Sequence, residues 1–178
     1  LGQQITVTAA RKLAGKLVAT YGERLAPEDG GDDDALTAVF PRPERLATAN
    51  LASLGMPRAR AATLSALAAA TAADPQLFRG GHDLDGAIAR LRALPGIGEW
   101  TAQYIAMRAL REPDAFPAAD IGLLRAMAGA DGTRPTPAAL LTRADAWRPW
   151  RAYAAQHLWT SDAAAMVATS PVSEEEVA

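Results

Sequence analysis

The fold of this chain is decided by the stretch Leu94-Pro95-Gly96-Ile97-Gly98-Glu99-Trp100-Thr101-Ala102. One proline and two glycines within four residues leave room only for a tight turn. Apolar spacing predicts a helix over 83–94 before this turn and another over 100–111 after it. Because Gly96 and Gly98 lack a Cβ, backbone N–H groups here can approach a bulky anion such as phosphate. A plain turn between two helices would need the same glycines, so this alternative stays open at this point.

Outward from the turn, the sequence predicts helices. Alanine provides 43 of the 178 residues and aromatic residues only 6%, a mixture that favours closely packed helices. Neither strands nor repeats are recognisable. The other predicted helices cover 1–21, 43–53, 57–73, 120–129, a segment from Thr136-Pro137 onward, and 149–168. The predicted fold class is therefore all-α, with one helical domain over 1–168 and an acidic, disordered tail over 169–178.

Charge and cysteine content narrow the possible functions. The formal net charge is −2, but seven acidic residues lie in two clusters, Asp29–Asp34 and Glu174–Glu176. The rest of the chain has a mild basic excess, which is compatible with an anionic polymer as partner. The absence of cysteine excludes disulfides, cysteine-bound zinc and a cysteine-held iron–sulfur cluster. Charged residues interrupt every apolar stretch, so no membrane span is expected.

The hairpin sequence resembles the helix–hairpin–helix of the DNA glycosylase superfamily, in which a downstream aspartate, here Asp120, completes the signature. Three other segments resemble the AlkA branch, 3-methyladenine DNA glycosylase II. These are Leu1-Gly2-Gln3-Gln4-Ile5, Leu54-Gly55-Met56-Pro57 and Trp147-Arg148-Pro149-Trp150-Arg151. The resemblance implies a helix–hairpin–helix glycosylase core that lacks the upstream sheet-containing lobe of such relatives. We therefore expect the chain to be part of a longer polypeptide.

The implied activity is that of a monofunctional DNA glycosylase in base excision repair. Such an enzyme hydrolyses the N-glycosidic bond of alkylated bases, such as 3-methyladenine and 7-methylguanine, in duplex DNA. Relatives that also cleave the strand have a lysine where this chain has Trp100, so no lyase activity is expected. Asp120 is the implied catalytic residue, because its carboxylate would offset the positive charge of an oxocarbenium-like state. Without the resemblance, an aspartate here is most simply a helix cap.

The implied base-binding residues are aromatic. Trp100 and Tyr104 lie four residues apart on one helix face, and Trp150 matches the third aromatic residue of the family pocket. A cationic base leaves without protonation by a second carboxyl group, and each cation–π contact contributes about 0.5–2 kcal/mol. Ordinary core packing is the alternative for any aromatic residue. It is favoured for Trp147, Tyr153 and Trp159.

DNA binding is assigned by the resemblance to the hairpin residues Gly96, Ile97 and Gly98. Gln3 and Gln4 match the segment that fills the gap left by a flipped nucleotide, although surface or helix-capping glutamines are an alternative. Backbone carbonyls in the hairpin match family ligands for a structural Na⁺ or K⁺, an ion that oxygen ligands suit. These carbonyls belong to Arg92, Leu94 and Ile97. No cofactor is expected to be required.

Two departures from the family pattern leave the substrate range open. Ile121 stands where the best-known members often have tyrosine, and Ala119 stands where another acid can occur. The competing interpretation is a non-catalytic helix–hairpin–helix module that binds DNA or senses damage within a larger protein. Both interpretations make double-stranded DNA the partner. A monomer in the bacterial cytoplasm, acting at the nucleoid, is expected.

Overall fold

The computed structural model describes residues 5–25, 37–78 and 83–169, with side chains as far as 164. The α-helices are α1 (Val7–Tyr21), α2 (Pro43–Thr48), α3 (Arg58–Ala73), α4 (Leu84–Arg92), α5 (Glu99–Ile105), α6 (Ile121–Ala126), α7 (Pro137–Ala144) and α8 (Arg151–Thr169). Short 3-10 helices cover Leu51–Leu54 and Asp145–Trp147, and a π-helical turn covers Ala106–Leu110. The predicted all-α class is confirmed. Within the described residues, no helix is both long and apolar enough to cross a bilayer.

The expectation of no strands was wrong in one place. Strands β1 (Glu23–Arg24) and β2 (Ala38–Val39) pair antiparallel, with Glu23 opposite Val39. Two residues per strand are too few to produce a recognisable alternation of polar and apolar side chains. This small ribbon leaves the helical class unchanged.

Several helix bounds differ from the predictions. The helix predicted over 43–53 divides into α2 and a 3-10 turn, and the one predicted over 100–111 divides into α5 and the π-helical turn. α4 ends at Arg92 rather than 94, α6 ends at Ala126 rather than 129, and α8 begins at Arg151 rather than 149. Helix ends fray and tighten, so boundaries are the least determined part of a helix in sequence. The helix predicted from Thr136-Pro137 onward is confirmed as α7, and the Thr136 hydroxyl caps it by accepting a hydrogen bond from Ala139 N–H at 3.1 Å.

The described residues form two compact units. The first contains residues 5–25, 37–78 and 92–97, and the second contains 83–91 and 98–169. In the first unit α2 packs on α3, and the core is built around Leu17, Leu46 and Leu51. α1 joins this core because its apolar stripe places Leu13 and Leu17 on one buried face.

The second unit positions the candidate site. Its central contact is between α6 and α8, and its core includes the fully buried side chains of Leu123 and Leu140. Arg151 at the start of α8 is buried and donates to both carboxylate oxygens of Asp114, at 2.7 and 2.9 Å. Arg148 also pairs with Asp114. These two arginines therefore hold the start of α8 against the segment that precedes α6.

Candidate active site

Asp120 is the N-cap of α6. Its backbone is extended, and its Oδ1 accepts hydrogen bonds from the N–H groups of Gly122 at 2.9 Å and Leu123 at 3.1 Å. The structure therefore gives Asp120 the capping role that the residue type alone suggests. The cap uses only Oδ1, so the surroundings of Oδ2 decide whether Asp120 can have a role besides capping.

Two tryptophans also donate to this carboxylate. The indole N–H of Trp159 lies 2.7 Å from Asp120 Oδ1, and that of Trp100 lies 2.9 Å from Oδ2. Oδ1 therefore accepts three hydrogen bonds and Oδ2 accepts one. Four N–H donors fix the orientation of the carboxylate. Asp120 is only partly buried, so the acid is held rigidly without being sealed in the core.

The aromatic residues around Asp120 form a continuous cluster. The rings of Trp100 and Tyr104 stack with centroids 5.2 Å apart and planes 12° apart. The Trp159 ring lies tilted against Tyr104 at 6.1 Å. We call Trp100, Tyr104 and Trp159 the aromatic cluster. Sequence analysis placed Trp100 and Tyr104 together on α5, and the structure joins Trp100 to Asp120 and stacks Tyr104 on Trp100.

Trp150 lies in different surroundings from those expected. Its ring packs edge-on against Tyr153 at 5.7 Å, and both side chains are largely exposed, at 58% and 60%. The position expected for Trp150 beside Trp100 and Tyr104 is taken by Trp159. Trp147, in contrast, packs against the buried Phe116 as expected.

Trp159 is therefore the residue that sequence analysis missed, having assigned it to core packing. A usable signal was present in the spacing of α8. Ala152, Ala155, Trp159 and Asp162 recur at three- and four-residue intervals and so share one helix face. The two alanines are buried, and the face reaches α6 through Trp159 and Asp162.

Gly122 allows α6 and α8 to approach this closely. A Cβ at this position would lie 3.1 Å from both Asp120 Oδ1 and Trp159 Cδ1. Asp162 Oδ2 would be 3.3 Å away. A larger residue would therefore press against the contact between the indole and the carboxylate.

An ion pair links the same two helices beside Asp120. The Arg125 guanidinium donates to both oxygens of Asp162, at 3.0 and 2.7 Å. These hydrogen bonds lower the pKa of the Asp162 carboxyl and raise the pKa of the Arg125 guanidinium. The charge of Asp120 contributes to the raised pKa of Arg125 as well. This pair, bridging α6 and α8, is well placed to hold their crossing.

The hairpin residues have unequal roles. Gly96 has a φ of +80°, and a Cβ there would collide with the hydroxyl of Thr63, so the chain itself requires glycine. Gly98 has an ordinary φ of −87°, and a Cβ there would meet nothing within 4 Å. The Ile97 side chain is buried, and its N–H donates to the Leu94 carbonyl at 3.1 Å. The side chain of Ile97 is therefore not available to a partner, and its N–H is already paired.

Two groups of sequence predictions remain to be placed. Gln3 and Gln4 lie outside the described residues, as does the tail beyond 169. The carbonyls of Arg92, Leu94 and Ile97 belong to one turn, and that of Leu94 already accepts one hydrogen bond. Among the described residues, no cluster of His, Asp or Glu side chains could hold a metal ion.

Fold and site together define a class: a helical protein with a glycine hairpin and a carboxylate held between aromatic rings. The chain belongs to the HhH-GPD superfamily of base excision DNA repair proteins, whose family model matches residues 1–152. The resemblance inferred from the hairpin and Asp120 is thereby confirmed.

Several named proteins and solved structures are similar to this chain. The chain is 45% identical over 161 residues to the probable bifunctional transcriptional activator/DNA repair enzyme AlkA of Mycobacterium tuberculosis, covering 90% of this chain and 32% of that protein. It is 37% identical over 165 residues to DNA-3-methyladenine glycosylase 2 of Escherichia coli K12, covering 91% and 55%. A solved structure, the 3-methyladenine DNA glycosylase from Archaeoglobus fulgidus, matches with a TM-score of 0.75 at 25% identity, covering 91% and 55%. The chain thus spans from a third to about half the length of these relatives.

Proposed function

We propose that this chain contains the catalytic centre of a base excision repair glycosylase, which hydrolyses the N-glycosidic bond of alkylated bases in duplex DNA. The observation that carries the proposal is the carboxylate of Asp120, fixed by four N–H donors at the edge of the aromatic cluster. The names of the relatives from Escherichia coli and Archaeoglobus fulgidus support it. The name of the Mycobacterium tuberculosis relative, which includes DNA repair enzyme, supports the expectation of action on DNA in the cytoplasm.

Asp120 would act as a fixed anion. When the bond from C1′ to the base nitrogen breaks, its electron pair leaves with the base and the sugar becomes oxocarbenium-like. A preorganised negative charge beside the sugar lowers the energy of that state without reorganisation. Because Oδ1 already accepts three hydrogen bonds, Oδ2 is the oxygen that can face the sugar. Water then adds to C1′ and releases its proton to solvent, leaving an abasic site.

The aromatic cluster would select the base by stacking on an outer ring face. Trp100 and Tyr104 touch each other, whereas a base inserted between them would require planes about 7 Å apart, twice the van der Waals separation of about 3.5 Å. An inserted base is therefore excluded in this arrangement. A cationic purine gains cation–π energy from such a face, which favours N-alkylated bases.

Hydrolysis without strand cleavage is the expected reaction. A lyase needs an amine that attacks C1′, and the corresponding position is Trp100. The sequence contains only two lysines, Lys12 and Lys16, and neither stands at that position. We therefore expect the product strand to contain an intact abasic site.

The hairpin would bind the DNA backbone. At Gly98 the space that a Cβ would fill is open, so a phosphate can approach the main chain there. The carbonyls of Arg92, Leu94 and Ile97 would be the ligands of a Na⁺ or K⁺ ion, which would add positive charge to this turn. Oxygen donors from one turn fit such a hard cation.

One assay tests the proposal. Duplexes containing methylated or deaminated bases are incubated with the protein, the free bases are identified by mass spectrometry, and strand breaks are counted before and after alkali. We expect 3-methyladenine and 7-methylguanine to be released, with breaks appearing only after alkali. Binding of duplex without release of any base would instead support the non-catalytic module. That alternative is considered because this chain covers only 32% of the Mycobacterium tuberculosis relative.

A further inference from the structure

Arg108 occupies a special position in the aromatic cluster. Its guanidinium carbon lies 5.6 Å from the ring centroid of Tyr104 and 5.9 Å from that of Trp159. The two rings are inclined by 60°, so together they form a notch, and Arg108 lies over both. A planar cation of the protein itself therefore occupies the ring faces of the notch.

The notch is also the ring surface best suited to a planar cation. Trp100 covers one face of Tyr104, which leaves the side toward Trp159 for a further partner. Both rings present electron-rich faces, and the carboxylate of Asp120 is hydrogen-bonded to Trp159 at 2.7 Å. A positive charge here is attracted by two ring quadrupoles and by a nearby anion.

We propose that Arg108 is a specificity-determining residue that occupies the Tyr104–Trp159 notch until a cationic purine displaces it. The inference rests on the proposed function for its biological meaning, and it names the ligand class as purines with a permanent positive charge. A base that enters must compete with the guanidinium for the same ring faces. Neutral purines gain less from these faces than the guanidinium does, so Arg108 disfavours undamaged bases.

The structure provides a place for the displaced side chain. A cleft of about 200 Å³ lies beside Arg108, and its lining includes Met107, Arg111 and Gln156. Arg108 already donates a long hydrogen bond of 3.4 Å toward the Gln156 amide oxygen. Gln156 Nε2 in turn donates to Met107 Sδ at 3.4 Å. Rotation of the guanidinium into this cleft would free the ring faces of the notch. The contacts of Arg108 with the two rings would then be replaced by contacts with residues of the cleft such as Gln156.

The position of Arg108 in the chain permits such movement. It lies in the π-helical turn Ala106–Leu110, which follows α5 without interruption. The side chain is exposed, so its displacement uncovers no buried charge.

The decisive experiment compares two matched losses of charge, Arg108→Gln and Arg111→Gln. Arg111 lies on the same segment and lines the same cleft, but it takes no part in the two contacts over the rings. Quenching of tryptophan emission is followed while 7,9-dimethyladeninium, a permanent cation, or neutral 9-methyladenine is added. We expect Arg108→Gln to bind the cation about 2- to 30-fold more tightly than wild type, the range of one cation–π contact. Arg111→Gln should match wild type.

Arg108→Lys serves as the conservative variant and should keep the affinity for the cation low, because an ammonium can also lie over the rings. The proposal is overturned if Arg108→Gln and Arg111→Gln behave alike, if no variant binds the cation, or if the neutral purine gains as much as the cation. Release of 7-methylguanine from duplex is measured in parallel. If no variant releases a base, the proposed function fails, whereas the titration still decides the role of Arg108.

Discussion

The hairpin and the Asp120 site are built in opposite ways. The hairpin is local: a positive φ at Gly96 and one hydrogen bond from Ile97 to Leu94 define it within a few residues. The Asp120 site is assembled from distant parts of the chain, because its tryptophan donors lie 20 residues before it and 39 residues after it. A local turn tolerates changes elsewhere, whereas an assembled site depends on every helix that delivers a group to it.

This difference separates binding from chemistry. Backbone groups of a turn can bind the phosphates of DNA of any base sequence. We expect added salt to weaken this binding by a similar factor for every sequence. A carboxylate oriented by side chains from α5 and α8 and by the main chain of α6 is suited to one reacting centre. Substitutions in the two regions should therefore have different consequences, and the predictions below test this separation in order of expected effect.

The largest effect is expected for Asp120→Asn. The amide keeps the size of the side chain but removes the negative charge, and its NH₂ group would face the N–H of either Trp100 or Trp159. We expect base release under single-turnover conditions to fall by about 10²- to 10³-fold, the loss typical of one preorganised electrostatic group. Affinity for an abasic-site duplex, measured by anisotropy, should change little. Release at the wild-type rate would remove Asp120 from the reaction.

Trp159→Phe should have the next largest effect. It keeps a ring against Tyr104 but removes the N–H that donates to Asp120 Oδ1 at 2.7 Å. A hydrogen bond to a charged group contributes about 1.5–3 kcal/mol, so we expect base release to slow by about tenfold or more. Trp150→Phe is the matched control, since that exposed indole pairs only with the Tyr153 ring among the contacts described. Equal effects of the two variants would contradict the assignment of Trp159.

Trp150 and Trp159 show which features of the structure the sequence predicts and which it does not. The helices, the hairpin and the cap of α7 follow from local signals: apolar spacing, glycine pairs and Thr136-Pro137. Trp100 and Tyr104 were placed correctly relative to each other because they share one turn of α5. The choice between Trp150 and Trp159 depends on where α8 begins and on how it crosses α6. No local pattern encodes that crossing, although the face containing Ala155 and Trp159 hints at it.

A smaller effect, this time on stability, is expected in the hairpin. Gly96→Ala forces a Cβ at φ +80° and against the Thr63 hydroxyl, so we expect the free energy of unfolding to fall by about 1–2 kcal/mol. Gly98→Ala, with open space and an ordinary φ, should stay within about 0.5 kcal/mol of wild type. Urea unfolding measures both.

Duplex binding then tests the role of the open space at Gly98. If a phosphate uses that space, Gly98→Ala weakens binding to undamaged and abasic duplexes by a similar factor, without a loss of stability. Unchanged affinity would leave the second glycine of the hairpin without a role in binding. Base release at saturating protein should be preserved in Gly98→Ala, in contrast to Asp120→Asn.

The smallest effect is expected at the ion pair that joins α6 and α8. Asp162→Asn should lower the free energy of unfolding at pH 7 by about 1 kcal/mol, because the pair is bidentate but partly exposed. The hydrogen bond from Arg125 lowers the pKa of Asp162 below its ordinary value of 3.8, so this contribution is complete above that value. It is lost as the pH falls through the lowered pKa.

The difference between wild type and Asp162→Asn should therefore shrink as the pH falls below 3.8, which urea unfolding at pH 7 and pH 3 can measure. A double-mutant cycle with Arg125→Met isolates the coupling of the two side chains. If the pair also holds the helix crossing, Asp162→Asn slows base release while leaving duplex affinity intact, since the hairpin does not depend on α8. A coupling free energy near zero between Arg125 and Asp162 would show that the Asp120 site does not depend on this ion pair. A loss of duplex affinity equal to the loss in the rate of base release would show the same.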